Sequence, residues 1–395
     1  MRMSRKPVAC IVGTGFIGPA HLEALRRLGI PVAGLVERDR ETAAAAARAL
    51  GIGRAYPSLE AALADPEVDA VHLAVPNHLH APYAEAALRA GKHVLCEKPL
   101  ALTSGESAKL AALARKSGLV AAVNYNLRFY PLVREAREIV ASGELGEVFL
   151  AHGSYLQDWL LYDTDWSWRL DPAAGGELRA VADIGTHWFD MVSFVTGLDV
   201  ESVVADLATF HRERKRPVAP SSTFAGAPGP EAAAEGARER VAVASDDAAT
   251  ILIRFAGGAR GSLTVSQVSA GRKNALSFEV DGSRSSLAWN SESPNALWIG
   301  ERNSPNRIVM KDPSLLSREA ARLAGFPGGH QEGYPDTIKQ MFARFYDYLE
   351  AGDYSAPRDF PTFEDGHREM LLCDAVLASS REGRWTEIRR EGGDR

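Results

Sequence analysis

Short apolar runs alternating with amphipathic stretches set the rhythm of the first third of the chain. The run from Val8 to Val12 leads into a glycine loop and a helix ending in LRRLG at Gly29, and the run from Val32 to Val36 leads into the alanine-rich segment 42–51. Each run is short enough for a strand buried on both faces, as in a parallel sheet covered by helices. The same alternation predicts a strand over 68–75, a helix over 80–90 stopped by Gly91, and strands over 93–96 and 119–123. Gly29, Gly51, Gly91 and Gly118 stand where left-handed helix ends are expected. This pattern predicts an α/β domain, a doubly wound parallel Rossmann sheet, over residues 1–125.

Beyond Pro131 the pattern changes. An amphipathic helix to about Ala141 precedes a strand from Glu147 to Gln157, and another helix begins near Asp183. After Val200 come extended stretches joined only by turns (TILIRF, GSLTVSQV, ALSFEVDG, SLAWN), which suit an antiparallel sheet. Residues 126–395 are therefore expected to form an α+β domain with a large, mainly antiparallel open sheet, for substrate binding and oligomerisation. An open sheet face commonly packs against a copy of itself, which predicts a homodimer or homotetramer. The basic, then Pro/Gly/Ala-rich stretch 211–247 reads as a surface excursion or hairpin. Ile338, Met341, Phe342, Phe345 and Leu349 share one helical face, and a last helix over 364–380 is expected to pack back on the body.

Composition narrows the chemistry. Among 395 residues, 45 Lys+Arg stand against 51 Asp+Glu, a formal charge of −6 that lacks the basic excess of a nucleic-acid binder. Small molecules become the expected partners. Cys10, Cys96 and Cys373 have no metal-type spacing, so no metal site is expected, and reduced thiols point to the cytoplasm. No apolar run approaches the ~18 residues of a membrane span, and the MRMSRKP start lacks the features of a secretory signal.

Gly13, Gly15 and Gly18, with Phe16 and Ile17 between them, follow a strand and open a helix, the context that gives a G-x-G-x-x-G loop its meaning. The glycines permit a tight turn, close approach of a pyrophosphate and close helix packing, while helix amides face the phosphates. Glu37, nineteen residues beyond Gly18, can accept hydrogen bonds from ribose hydroxyls and repel a 2′-phosphate, favouring NAD over NADP. The adjacent Arg38 pulls the other way, since a guanidinium pairs with phosphate or stacks on adenine. Pro76, Asn77 and His80 follow one predicted strand, and Glu97 and Lys98 follow the next, at the sheet edge where ligands lie in such folds. Pro99 keeps Lys98 extended, and its ammonium can hydrogen-bond a reacting oxygen. Asp183 and His187 are one helical step apart, which suits proton abstraction; equally, Asp183 can be a helix N-cap and His187 a half-buried core residue.

Together GTGFIG, VPNHLH, GKHVLCEKP and GGELRAVADIGTHWFD resemble the glucose-fructose oxidoreductase, inositol dehydrogenase and rhizopine catabolism (Gfo/Idh/MocA) family. The stretches YLQDWLLYDTDWSWRLDP and PGGHQEGYPD are similar to its inositol-type and levoglucosan-type branches. The resemblance implies NAD(P)-dependent oxidation of a sugar or polyol hydroxyl. In that pattern Lys98, Asp183 and His187 are catalytic, and Trp168 and Arg169 touch the cofactor or the cleft. It further implies that Tyr125, Asn126 and Arg128 lead toward the cleft, that Tyr155, Gln157, Asp158 and the aromatics from Trp159 to Trp168 line it, and that His330, Glu332 and Tyr334 reach it. Family members also include glycosidases that oxidise transiently and NADP-linked reductases. Here Arg179 to Ala182 intervene between the glycines and Asp183, a departure from the commonest pattern.

Overall fold

The computed structural model describes residues 5–218 and 238–389, so the middle of the 211–247 excursion lies outside the described residues. The chain divides into two compact units, and neither is contiguous in sequence. The first takes residues 1–126, 171–176 and 335–370; the second takes 127–170, 177–334 and 371–395.

The first unit holds β1 (Ala9–Val12), β2 (Val32–Val36), β3 (Ala70–Leu73), β4 (His93–Cys96) and β5 (Ala121–Val123) in the order β2-β1-β3-β4-β5. All neighbours are parallel. Cys10, Val12, Val71, Leu73, Val94, Cys96 and Val123 are buried in its core, which is why these strands read as unbroken apolar runs. Gly29, Gly51 and Gly118 end helices at positive φ. The helix Tyr334–Ala351 buries the apolar face read from its sequence, and from Pro335 onward it belongs to this first unit. A single boundary at residue 125 misses that return, because an apolar helix face does not say which core it enters.

The second unit is built on β6 (Val148–Leu156), β7 (Val200–Ala208), β10 (Ala248–Phe255), β11 (Arg260–Ser266), β12 (Ala275–Gly282), β13 (Ser285–Asn290), β14 (Ala296–Glu301), β15 (Ser304–Met310) and β16 (Thr386–Glu387). A separate ribbon pairs β8 (Glu213–Pro217) with β9 (Arg238–Ala242). The nine strands run β15-β14-β13-β12-β6-β11-β10-β7-β16, antiparallel except for the β6/β11 pair. Helices Pro131–Ala141 and Thr186–Thr196 pack on one face of this sheet. Gly153 in β6 admits the Trp188 indole, whose Nε1 donates to the Ser277 carbonyl at 2.9 Å. A Cβ at Gly153 would lie 2.1 Å from that oxygen.

The other face carries a row set by strand register, Ile308, Trp298, Ala288, Glu279, His152, Ser262, Leu252 and Val204 from one edge toward the other. Two apolar members of the row are exposed, Ile308 by 55% and Leu252 by 49%. The excursion forms a hairpin arm at its base. Arg214 in β8 is buried and donates to the carbonyls of Leu160 and Tyr162 at 3.0 and 2.9 Å, fastening the aromatic segment that follows β6.

Candidate active site

In the first unit the turn between β1 and the helix Ile17–Leu28 has the shape of a phosphate cradle. Gly13 has φ +90°, and a Cβ there would meet the Ala74 carbonyl at 2.5 Å. A Cβ at Gly18 would strike the Gly13 carbonyl at 2.3 Å, whereas at Gly15 nothing lies within 4 Å. Two glycines are thus required by the protein's own packing, and the third leaves open space above the helix amides, as a dinucleotide pyrophosphate needs. Glu37 Oε1 accepts from the Thr14 amide at 2.6 Å and from Thr14 Oγ1 at 2.5 Å, tying the acidic end of β2 to the loop. Phe16 is 61% exposed, and Arg38 is exposed with its Nε 3.2 Å from Asp39. These residues fit NAD.

Next to the cradle, the segments after β3 and β4 are laced together. His80 places Nε2 2.8 Å from the Val75 carbonyl and Nδ1 2.6 Å from the Pro99 carbonyl. Asn77 donates to the Gly175 carbonyl at 3.1 Å. Glu97 turns inward, with Oε1 2.9 Å from His21 Nε2 and 2.5 Å from Asn124 Nδ2. Lys98 stays half-exposed at the edge, and its peptide bond to Pro99 is cis. Tyr125 is fully buried, and Asn126 donates to Thr337 Oγ1 at 2.6 Å. Three residues expected to touch ligand, His80, Glu97 and Asn77, therefore have protein partners that shape the loops around Lys98.

In the second unit the helix bearing His187 starts on a buried carboxylate. Asp246 accepts from the amides of Arg179 and Val181 at 2.6 and 2.9 Å, and burial, opposed by those bonds, pushes its carboxyl up to about 6. A π-helical turn, Val181–Gly185, follows and runs straight into the helix Thr186–Thr196. Such wide turns recur at functional sites. Asp183 lies inside this turn, so the N-cap role falls to Asp246. Arg169 Nε donates to Asp183 Oδ1 at 3.2 Å, and Gln267 Nε2 donates to Oδ2 at 2.8 Å. The Arg169 guanidinium sits over the Trp168 ring, 4.4 Å from its centroid.

His187 is buried, with its ring centroid 6.3 Å from that of Tyr155. Tyr155 donates its hydroxyl to Asn274 Oδ1 at 2.8 Å, and Gln157 Nε2 donates to the same oxygen at 2.7 Å. Burial, then the neighbouring Tyr334 and the Asp183 charge, push the Tyr155 phenol well above its ordinary value, so it remains a donor. Asp158 pairs with Lys273 at 2.7 Å, and Glu332 with the buried Lys311 at 2.6 Å. Arg128 forms a two-pronged pair with Asp190, and His330 is exposed. Asp183, Arg169, Tyr155 and His187 are brought together; Arg128, Glu332 and His330 have other surroundings. Gln267, Asn274 and Asp246 escaped notice because isolated polar residues at strand ends carry no spacing signal. Arg179 was visible only as a departure from the usual pattern.

Among the described residues, His152, Glu279 and Asp281 have metal-ligand atoms within 4.8 Å of one another. They lie on the open sheet face, where register places His152 opposite Glu279, and His152 Nε2 stands 3.4 Å from Asp281 as an ordinary cross-strand pair. No helix among the described residues is long and apolar enough to cross a membrane.

Comparison with known proteins finds relatives of both parts of the chain. A family model described as an oxidoreductase family with an NAD-binding Rossmann fold matches residues 8–125, and a GFO/IDH/MocA C-terminal domain matches residues 133–288. Levoglucosan dehydrogenase from Pseudarthrobacter phenanthrenivorans is 32% identical over 394 residues, covering 96% of this chain and 97% of that protein. A solved levoglucosan dehydrogenase in complex with NADH and levoglucosan superposes with TM-score 0.86 at 29% identity, covering 98% of this chain and 100% of the other. An inositol dehydrogenase homolog from Azotobacter vinelandii, complexed with NAD+, gives TM-score 0.85 at 25% identity over 98% of both chains. With its NAD-binding Rossmann half and its open-sheet half both matched, the chain belongs to the Gfo/Idh/MocA oxidoreductase family.

Proposed function

We propose that this chain is a dehydrogenase that oxidises a secondary hydroxyl of a sugar, anhydrosugar or cyclitol, with NAD as the redox partner. The observation that carries the proposal is the pair of donors on Asp183. Arg169 and Gln267 each hold one carboxylate oxygen, so Asp183 acts as an acceptor that orients its surroundings. The nearby phenol is held as a donor by Asn274. His187 is then the group suited to take the hydroxyl proton, since imidazole titrates near neutrality. Lys98, just after β4 in the first unit, carries an ammonium of the kind that can hydrogen-bond a reacting oxygen and steady alkoxide character. NAD, when bound, supplies the hydride acceptor. The relatives named for levoglucosan and inositol support the substrate class.

Glu37 supports NAD over NADP, because its carboxylate lies at the end of β2 where a 2′-phosphate would meet a second negative charge. A spectrophotometric screen of NAD and NADP reduction over inositols, aldoses and anhydrosugars tests both points. NADH formation with at least one polyol is expected. No reduction with any of them, or sugar release from a glycoside without net NADH, would overturn the dehydrogenase assignment and, in the latter case, favour transient oxidation.

We also propose association of copies through the open sheet face, where Leu252, Ile308 and Met310 are exposed in a folded sheet. Light scattering should give a multiple of 42.6 kDa; a monomer mass would count against it.

A further inference from the structure

Gln267, at the end of β11, is fully buried and belongs to no motif of the site, yet it makes the shortest bond to Asp183 given above. Its carboxamide has a determined orientation. Arg179 Nη1 lies 2.8 Å from Gln267 Oε1, and a guanidinium has donors only, so the oxygen must face Arg179 and the NH2 must face Asp183. Arg179 is itself locked: it is buried, pairs with Asp247, and has Nε 3.3 Å from Ser245 Oγ. Asp247 is shared with Arg214 at 2.7 Å. Backbone bonds from Gln267 N to the Asp247 carbonyl at 2.9 Å, and from Leu160 N to the Gln267 carbonyl at 3.2 Å, fix the stem. Buried hydrogen-bond networks of this kind restrict the geometry of their members.

We propose that Gln267 is the positioning residue of the site, its amide turned by Arg179 so that Nε2 holds Asp183 in one rotamer as a hydrogen-bond acceptor. This also gives a purpose to the departure from the usual family spacing, since Arg179 stands among the four residues that precede Asp183. The inference rests on the assignment of Asp183 and His187 to the reaction. Gln267 touches no substrate; it acts through Asp183.

The test is Gln267→Glu. A carboxyl donates to Asp183 only while it keeps its proton; the facing Asp183 charge raises the pH at which that proton is lost, while the Arg179 and Arg169 charges lower it. Turnover of the variant relative to the unaltered enzyme should fall at least tenfold between pH 6 and pH 8, with KM for NAD unchanged. Recovery of turnover at the acid end is part of the expected result. A profile parallel to that of the unaltered enzyme would overturn the proposal, because structural damage lowers all pH values alike. If Gln267→Glu fails to fold by circular dichroism, Gln267→Leu removes the donor without adding charge; a tenfold or greater loss of kcat with KM for NAD and melting temperature unchanged supports the proposal, and any other result overturns it. Asp183→Asn and His187→Gln are run beside them. Full turnover in those two would refute the site assignment itself, whereas their inactivity with a parallel Gln267→Glu profile refutes only the role of Gln267.

Discussion

His21 Nε2 stands 2.9 Å from Glu97 Oε1 in the core of the first unit, and its other nitrogen stands 3.1 Å from His72 Nδ1. One set of tautomers satisfies the whole line: Tyr346 donates its hydroxyl to His72 Nε2 at 2.8 Å, His72 Nδ1–H donates to His21 Nδ1, and His21 Nε2–H donates to Glu97. Burial holds the His72 ring well below its ordinary pKa, so it stays neutral. The line ends on a single negative charge, one residue before Lys98.

That charge has a pH signature. Burial alone would raise the Glu97 carboxyl; the bond from His21, the Lys98 charge and the bond from Asn124 outweigh it and bring it from 4.5 down to about 2. A carboxylate depressed on folding contributes stability above its unfolded pKa and loses it as pH falls through the folded one. Between pH 5 and pH 3 this group should forfeit about 2 kcal/mol. Urea unfolding of Glu97→Gln should therefore show a deficit at pH 7 that narrows by that amount at pH 3. A deficit constant with pH would mean that the Glu97 charge is not what the His21 line stabilises.

Gly15 and Gly18 separate binding from folding. A Cβ at Gly15 meets nothing within 4 Å in the protein itself, so Gly15→Ala should melt within about 1 °C of the parent while its Kd for NADH rises tenfold or more, the methyl occupying pyrophosphate space. Gly18→Ala places its methyl 2.3 Å from the Gly13 carbonyl and should lower the melting temperature by several degrees. Calorimetry and fluorescence titration with NADH check the pair.

Replacement of either proposed catalytic group should affect turnover more than affinity. His187→Gln and Lys98→Met are each expected to reduce kcat by roughly 100-fold or more, with Kd for NADH within about threefold of the parent. If His187→Gln keeps both the rate and its pH profile, the base is elsewhere.

Cofactor preference is expected to turn on Glu37. Its Oε1 is held by Thr14, so the carboxylate is aimed rather than mobile. Glu37→Ser should raise kcat/KM for NADP and lower it for NAD, with Arg38 available to pair with the 2′-phosphate. An unchanged NAD-to-NADP ratio would remove Glu37 from the discrimination.

The elements that could be read from the chain are those whose chemistry is local. A strand buried on both faces must be an apolar run, a tight phosphate turn must carry glycine, and a packed helix must show its stripe, so β1 to β5, Gly13 to Gly18 and the face from Ile338 to Leu349 were all visible in one dimension. Asp183 and His187 were visible as a pair, but two readings of that pair stood open. The fold gives the pair partners that spacing does not show: Asp246 accepts from the amides at the head of the helix, and Gln267 and Arg169 hold the Asp183 carboxylate. Residues 335–370 likewise joined the first unit although they follow the second. A hydrogen bond across eighty residues leaves no periodicity, because only the folded backbone brings its two ends together, and a buried charge finds its partner by proximity and desolvation rather than by spacing.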